Sequence, residues 1–248
     1  MKSLFVTSQT DIGAARTENQ DRVLTGMLGQ DAALAVLCDG MGGASFGSEA
    51  SETAASVIFD RISASYRPEM SANSIRNLLL TSINAANASV YRTSQLSPEK
   101  NGMGTTCVAA IADANTAYIV SVGDSRAYLI QDGGISQITE DHTYVRELFE
   151  QGKISENEIK SHRMRHVITR AVGTEREIEA DYFEVELEAD ALLLLCSDGL
   201  SGFVSDEEIA AAADGLPAEE AARALINLAN QKTSRDNITV ALITNKTR

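Results

Sequence analysis

Short runs that are either wholly apolar or strictly alternating recur along the chain and predict strands. They fall at about Leu4 to Ser8, Arg22 to Thr25, Ala32 to Cys38, Thr105 to Ala112, Ala117 to Val122, Ala127 to Ile130, Asp181 to Leu187, Ala191 to Cys196 and Ile238 to Thr244. In Phe183-Glu184-Val185-Glu186-Leu187 the alternation has period two, the pattern of a strand with one face in water. Two longer stretches, about Gly47 to Tyr66 and Ser71 to Gln95, carry apolar residues at three and four spacing among many Ala and predict helices. Ser205-Asp206-Glu207-Glu208 spells a capping box, and Pro217 followed by Ala218-Glu219-Glu220 marks another helix start. The strands are mostly joined by turns and the helices come in pairs, which predicts antiparallel sheet under helical layers and not a doubly wound parallel sheet.

Composition adds bounds to this picture. The chain has 248 residues, and only Pro68, Pro98 and Pro217 interrupt it as proline; no Pro-rich or Ser/Gly-rich linker divides it, so one domain spanning 1–248 is expected. Apolar residues make up 44% and charged residues 23%, ordinary globular usage. With 35 acidic residues against 21 Lys and Arg, the net charge of −14 disfavours a surface that tracks nucleic acid or anionic lipid. The longest apolar run, Ala191 to Cys196, is far below the roughly 20 residues that cross a bilayer, and the start from Met1 to Ser8 has no secretory apolar core. A cytoplasmic monomer without membrane or nucleic-acid partners is expected. Cys38, Cys107 and Cys196 form no CxxC pair and predict neither a disulfide framework nor a zinc knuckle.

The candidate chemistry lies where strands end. Ala33 to Cys38 runs into Asp39-Gly40, and Leu192 to Cys196 runs into Ser197-Asp198-Gly199. Tyr118 to Val122 runs through Gly123 into Asp124, and Asp236-Asn237 directly precedes Ile238-Thr239-Val240. Taken singly, an Asp-Gly pair most often reverses the chain in a tight turn. Four carboxylates at the ends of buried strands, however, sit where a rigid scaffold could hold them at fixed separations, and a cation is what would hold several anions together. Hard oxygen ligands without Cys or His point to magnesium or manganese more than to zinc, and His142, His162 and His166 lack zinc-hydrolase spacing. Gly40, Gly42 and Gly43 permit close backbone approach to an ion or phosphate, or merely a flexible entry to the next helix. Arg16, five residues before Asp21, has the side chain best shaped to grip a phosphate, although a lone Arg is more often a solvated surface charge.

These stretches resemble the metal-dependent serine/threonine protein phosphatases of type 2C in their compact bacterial form. The match covers Arg16 to Asp21, Val36 to Gly43 with Gly47 to Ser51, Gly102 to Thr106, Val122 to Tyr128, Thr139 to His142, Ile168 to Gly173, Leu193 to Leu200 and Asp236 to Val240, in the family's order over nearly the whole chain. The resemblance implies a four-layer α-β-β-α sandwich, an α+β fold of two antiparallel sheets flanked by helix pairs, with a flap at about 141–173. It implies two tight Mn2+ or Mg2+ sites and a third, weaker one. Asp39 would bridge two metals, Asp198 and Asp236 would complete one, and the Gly40 carbonyl would bind the other. Asp21 would orient water on the second metal, Asp124 with Asp198 would form the third site, and Arg16 would bind the substrate phosphate. The implied reaction is hydrolysis of phosphoserine and phosphothreonine in proteins by a metal-activated water, in opposition to a cognate kinase.

Two positions depart from that pattern. Met41 stands where many eukaryotic relatives place a proposed His acid, which leaves the general acid unassigned, and Gln20 stands in place of a metal-binding Glu. Lys160, His162, Arg163, Arg165, His166 and Arg170 form a basic stretch without acids, either an attractor of phosphorylated segments or a solvated helix face. Two rivals remain. A serine hydrolase could use Ser45 in Gly43-Ala44-Ser45-Phe46-Gly47, but Asp39 to Gly43 separate it from the strand and no His follows His166. A catalytically silent phosphoprotein-binding module would normally lack a metal carboxylate, and Asp39, Asp198 and Asp236 are all present.

Overall fold

The computed structural model describes residues 4–42, 46–131, 133–159 and 161–245. Gly43, the Ser45 of the rival elbow and Lys160 of the basic stretch lie outside the described residues. One sheet is built from β1 (Phe5–Asp11), β7 (Arg126–Gln131), β8 (Gly134–Gln137), β10 (Leu192–Cys196) and β11 (Ile238–Thr244), in the order β1-β11-β10-β7-β8. The other takes β2 (Asp21–Leu28), β3 (Ala32–Met41), β5 (Cys107–Asp113), β6 (Thr116–Val122) and β9 (Asp181–Glu186) in the order β2-β3-β5-β6-β9, with β4 (Gly104–Thr105) paired to the end of β3. Every pairing is antiparallel.

The apolar runs are continuous because both faces of the central strands are covered. On β3, Leu34, Val36 and Cys38 pack into a core beneath α1 (Phe46–Ser65) and α2 (Ala72–Ser94), whereas Ala33, Ala35 and Leu37 point into a core between the two sheets. On β10, Leu193 and Leu195 share that inter-sheet core, while Leu192, Leu194 and Cys196 pack beneath α6 (Asp206–Ala213) and α7 (Ala218–Gln231). Three stacked cores thus bind four layers, the expected α-β-β-α sandwich. The capping box forms as the sequence predicts, with the Ser205 hydroxyl accepting from Glu208 N–H and the Glu208 carboxylate accepting from Ser205 N–H, and Pro217 stands directly before α7.

Three local expectations change. The run predicted to stop at Cys38 continues as strand to Met41, because β4 offers Gly40 and Met41 a second set of partners in Thr105 and Gly104. Asp39-Gly40 is therefore extended chain and not a tight turn. Asp198-Gly199 is not a tight turn either: it opens the short helix α5 (Asp198–Ser201). The flap contains α3 (Tyr144–Glu150) and α4 (Glu156–Ile159), but 161–170 is turn structure and not a solvated helix face.

Candidate metal centre

Odd-numbered residues of β3 face the neighbouring sheet, and continuing that alternation past Ala33, Ala35 and Leu37 brings Asp39 to the open end of the inter-sheet core. Asp21 is its cross-strand partner on β2. Gly40 N–H donates to Gln20 O at 3.1 Å, so Asp21 and Asp39 occupy the next, non-hydrogen-bonded pair, where side chains approach most closely. Like charges so placed repel one another. Asp124 enters from the turn after β6, Asp198 from the first turn of α5 and Asp236 from just before β11, all at the same end of the sandwich.

Together they enclose a cavity of about 830 Å³ lined by Arg16, Asp39, Gly40, Asp124, Asp198 and Asp236. Asp21 lies behind, 7% exposed, and its Oδ2 accepts from the Ser197 hydroxyl at 2.8 Å. Burial raises every one of the deeper carboxyl groups above the ordinary 3.8. Asp39 and Asp198 are pushed well above it, with the neighbouring aspartates adding to burial. Asp21 and Asp124 are each pushed up to about 6, again chiefly by burial. Arg16 Nη2 donates to Asp236 Oδ2 at 2.6 Å across 220 residues of chain, and that contact raises the guanidinium pKa further.

Backbone geometry restricts what can occupy the rim. A Cβ on Gly40 would run into the carbonyl oxygen of Gly47, so only Gly lets the end of β3 lie against the start of α1. Gly123 has φ +101°, a conformation that turns the chain toward Asp124. Asp39 N–H donates to Thr106 Oγ1 at 3.0 Å, and that hydroxyl lies 2.7 Å from the buried Ser125 hydroxyl, so one chain of contacts links the Asp39 backbone to the residue after Asp124.

Sequence reasoning missed one contributor, Asn237. Asn237 satisfies its whole side chain on the loop that carries Arg16: its Oδ1 accepts from Gln20 N–H at 2.8 Å, and its Nδ2 donates to Ile12 O at 2.9 Å and Glu18 O at 3.0 Å. Its position beside Asp236 was the available signal. Arg165 and His166 of the basic stretch also line the cavity, and burial together with Arg165 lowers the His166 pKa below 6.5. Arg170 turns instead to Asp181, at 3.1 Å. Met41 and Gln20, the two departures, both border the cavity.

Among the described residues no three or more His, Cys, Asp or Glu side chains stand close enough to close a ligand shell by themselves. The chemistry of the donor set nevertheless fits divalent cations with bound water. All the charged groups are hard oxygen donors, the cavity has room for ions and their waters, and Asp21 Oδ1 and Asp198 Oδ1 are buried without any hydrogen-bond donor. A buried carboxylate oxygen without a donor costs free energy that a cation would offset.

Comparison with known proteins agrees with this geometry. The family model described as Protein phosphatase 2C matches residues 13–242. A serine/threonine phosphatase, stp, of Listeria monocytogenes serotype 4b (strain F2365) is 36% identical over 238 residues, covering 95% of this chain and 93% of its own. The crystal structure of serine/threonine phosphatase Stp1 from Staphylococcus aureus superposes with a TM-score of 0.90 at 35% identity, covering 97% of this chain and 94% of that one. The catalytic domain of the serine/threonine protein phosphatase PstP, crystallised with two manganese ions, gives 0.83 at 32% identity over 98% of both chains. Strand-end carboxylates gathered around one cavity, the four-layer sandwich and these matches lead to one conclusion: the chain belongs to the protein phosphatase 2C family.

Proposed function

We propose that this chain hydrolyses phosphoserine and phosphothreonine in proteins, with Mn2+ or Mg2+ as cofactor and the products of a cognate kinase as substrates. The observation that carries the reading is the convergence of Asp21, Asp39, Asp124, Asp198 and Asp236 with Arg16 at one end of the inter-sheet core. In this reading Asp39 would help hold both tightly bound cations, with Asp198 and Asp236 completing the donors of one and the Gly40 carbonyl those of the other. Asp124 and Asp198 serve a third, weaker one. The shared inter-sheet layer supports taking 1–248 as one catalytic domain with its flap at about 141–173.

When bound, a pair of divalent cations lowers the pKa of a water between them and offsets charge on the phosphoryl oxygens. The side chains do the rest. Arg16, half-exposed at the rim, binds the phosphate dianion and keeps it in line with the attacking water. Asp21, held by the Ser197 hydroxyl, orients that water through its second oxygen. Neither Met41 nor Gln20 can donate a proton as an acid, and in this reading water supplies the proton to the leaving alkoxide.

Asp39, Asp124, Asp198 and Asp236 all face one cavity, which favours a working enzyme over a silent binding module. The deciding test is hydrolysis of a phosphoserine peptide and of an aryl phosphate with and without Mn2+. Turnover that depends on manganese, stops with chelator and is lost in Asp236→Ala is expected; turnover in chelator would overturn the reading.

A further inference from the structure

We propose that His142 is a positioning residue that ties both ends of the flap to the Asp124 turn, so that the flap and this carboxylate are held as one unit. This rests on the reading of Asp124 as a cation ligand only for its catalytic consequence.

The imidazole is 6% exposed. The residue grips Gly123 at two points: its ring Nδ1 accepts from Gly123 N–H at 3.0 Å, and its backbone N–H donates to Gly123 O at 2.9 Å. The Thr106 side chain packs against that glycine so closely that a Cβ there would run into it. The flap meets the same residue. His142 O accepts from Thr169 N–H at 2.8 Å, Thr143 and Ile168 form an antiparallel bridge, and Tyr144 N–H donates to Val167 O at 2.8 Å. The two ends of the flap are thus zipped together at His142.

The remaining ring nitrogen anchors the joint to the sheet. Because Nδ1 accepts, the neutral ring carries its proton on Nε2, which lies 3.2 Å from Asp181 Oδ2 on β9. Arg170 Nη1, at the far end of the flap, donates to Asp181 Oδ1 at 3.1 Å. A parallel strut runs beside it, with Arg126 gripping Asp141 in two contacts of 2.8 and 2.6 Å. Turn, flap ends and β9 therefore converge on one residue, the turn and β9 on its ring and the flap ends on its backbone, although His142 does not itself line the cavity.

The test separates the two ring nitrogens. An Asn amide oxygen falls near the Nδ1 position, so His142→Asn keeps an acceptor for Gly123. A Gln amide reaches the Nε2 position, so His142→Gln keeps the link to Asp181 and gives up the side-chain bond to Gly123 N–H, leaving only the backbone bond to Gly123 O. Amide exchange read by mass spectrometry on chelator-treated protein is expected to rise together, about tenfold, in segments 121–126 and 165–170 of His142→Gln, the scale of losing one hydrogen bond. His142→Asn should restore protection at 121–126. Calorimetric Mn2+ titration of His142→Gln should lose the weakest phase, and kcat for an aryl phosphate should fall while KM stays within about twofold. Faster exchange confined to the flap, or equal damage in both variants, would overturn the proposal. Since the exchange comparison is made without metal, its failure is separate from failure of Asp124 as a ligand, which the titration of Asp124→Ala reveals. Asp181→Asn, which loosens only the anchor on β9, should raise exchange at 165–170 as well; no change there would also count against the joint.

Discussion

At the scale of single residues the site is a set of costs held in place by neighbours. Asp39 is buried among four other carboxylates, each of which raises its pKa. Removing its charge while keeping its shape should therefore separate function from stability. Asp39→Asn is expected to lose manganese-dependent turnover, yet to melt at a higher temperature than wild type in chelator, because one buried like charge is gone. Calorimetry of both proteins in chelator checks this, and a lower melting temperature for the variant would contradict it. Arg16 has the opposite character, a half-exposed cation that a substrate phosphate can reach. Arg16→Ala should weaken phosphopeptide binding by roughly 10 to 100-fold, the worth of one charge-assisted contact of about 1.5 to 3 kcal/mol. Unchanged KM and kcat/KM would reduce it to a surface charge.

Elements decide where those residues stand. Two aspartates from adjacent strands meet because β2 and β3 pair in the register that sets Asp21 opposite Asp39, and a slip by one residue would send one of them to the helix side. At the end of α7, Thr233 adopts φ +60°, a left-handed conformation that strains a β-branched residue, and it lines the cavity. The turn is nonetheless bonded as a helix terminus, with Ser234 N–H donating to Ala229 O at 3.1 Å. Glycine relieves that strain, so Thr233→Gly is expected to stabilise the fold by about 1 kcal/mol. Urea denaturation gives the value directly; a destabilised variant would show that the threonine packing outweighs its backbone strain.

For the molecule as a whole, the acid cluster links stability to pH and to metal. Asp21 and Asp124 titrate near about 6 in the folded chain against 3.8 in the ordinary case, and Asp39 and Asp198 lie higher still. Above the unfolded value the folded state therefore holds more protons, and stability falls as pH rises through this range. His166, whose pKa is lowered, opposes the trend, but it is a single exposed group. Chelator-treated protein is expected to melt higher at about pH 5.5 than at about pH 7.5, whereas manganese, competing with protons for the same oxygens, should reverse the order. A melting temperature in chelator that rises over this interval would refute the linkage.

Much of the architecture was legible along the chain, because burial leaves a local record. Strands covered on both faces, such as Ala32 to Cys38 and Leu192 to Cys196, must be apolar throughout, and the capping box at Ser205 specifies its own helix start. The same record placed Asp39, Asp124, Asp198 and Asp236 at strand ends, and family resemblance supplied the expectation that they meet. What local pattern could not specify was partnership between distant segments. That Arg16 lies on Asp236 220 residues away, that Asn237 holds the Arg16 loop, and that Arg165 and His166 reach the cavity while Arg170 turns to Asp181 all depend on how separate elements pack. The extension of β3 to Met41 has the same origin, since its partner β4 lies more than sixty residues away. Sequence by itself determined which faces are buried and where carboxylates can stand, because those follow from neighbours in the chain; the tertiary structure alone decided which of them touch, because register and layer packing are long-range choices.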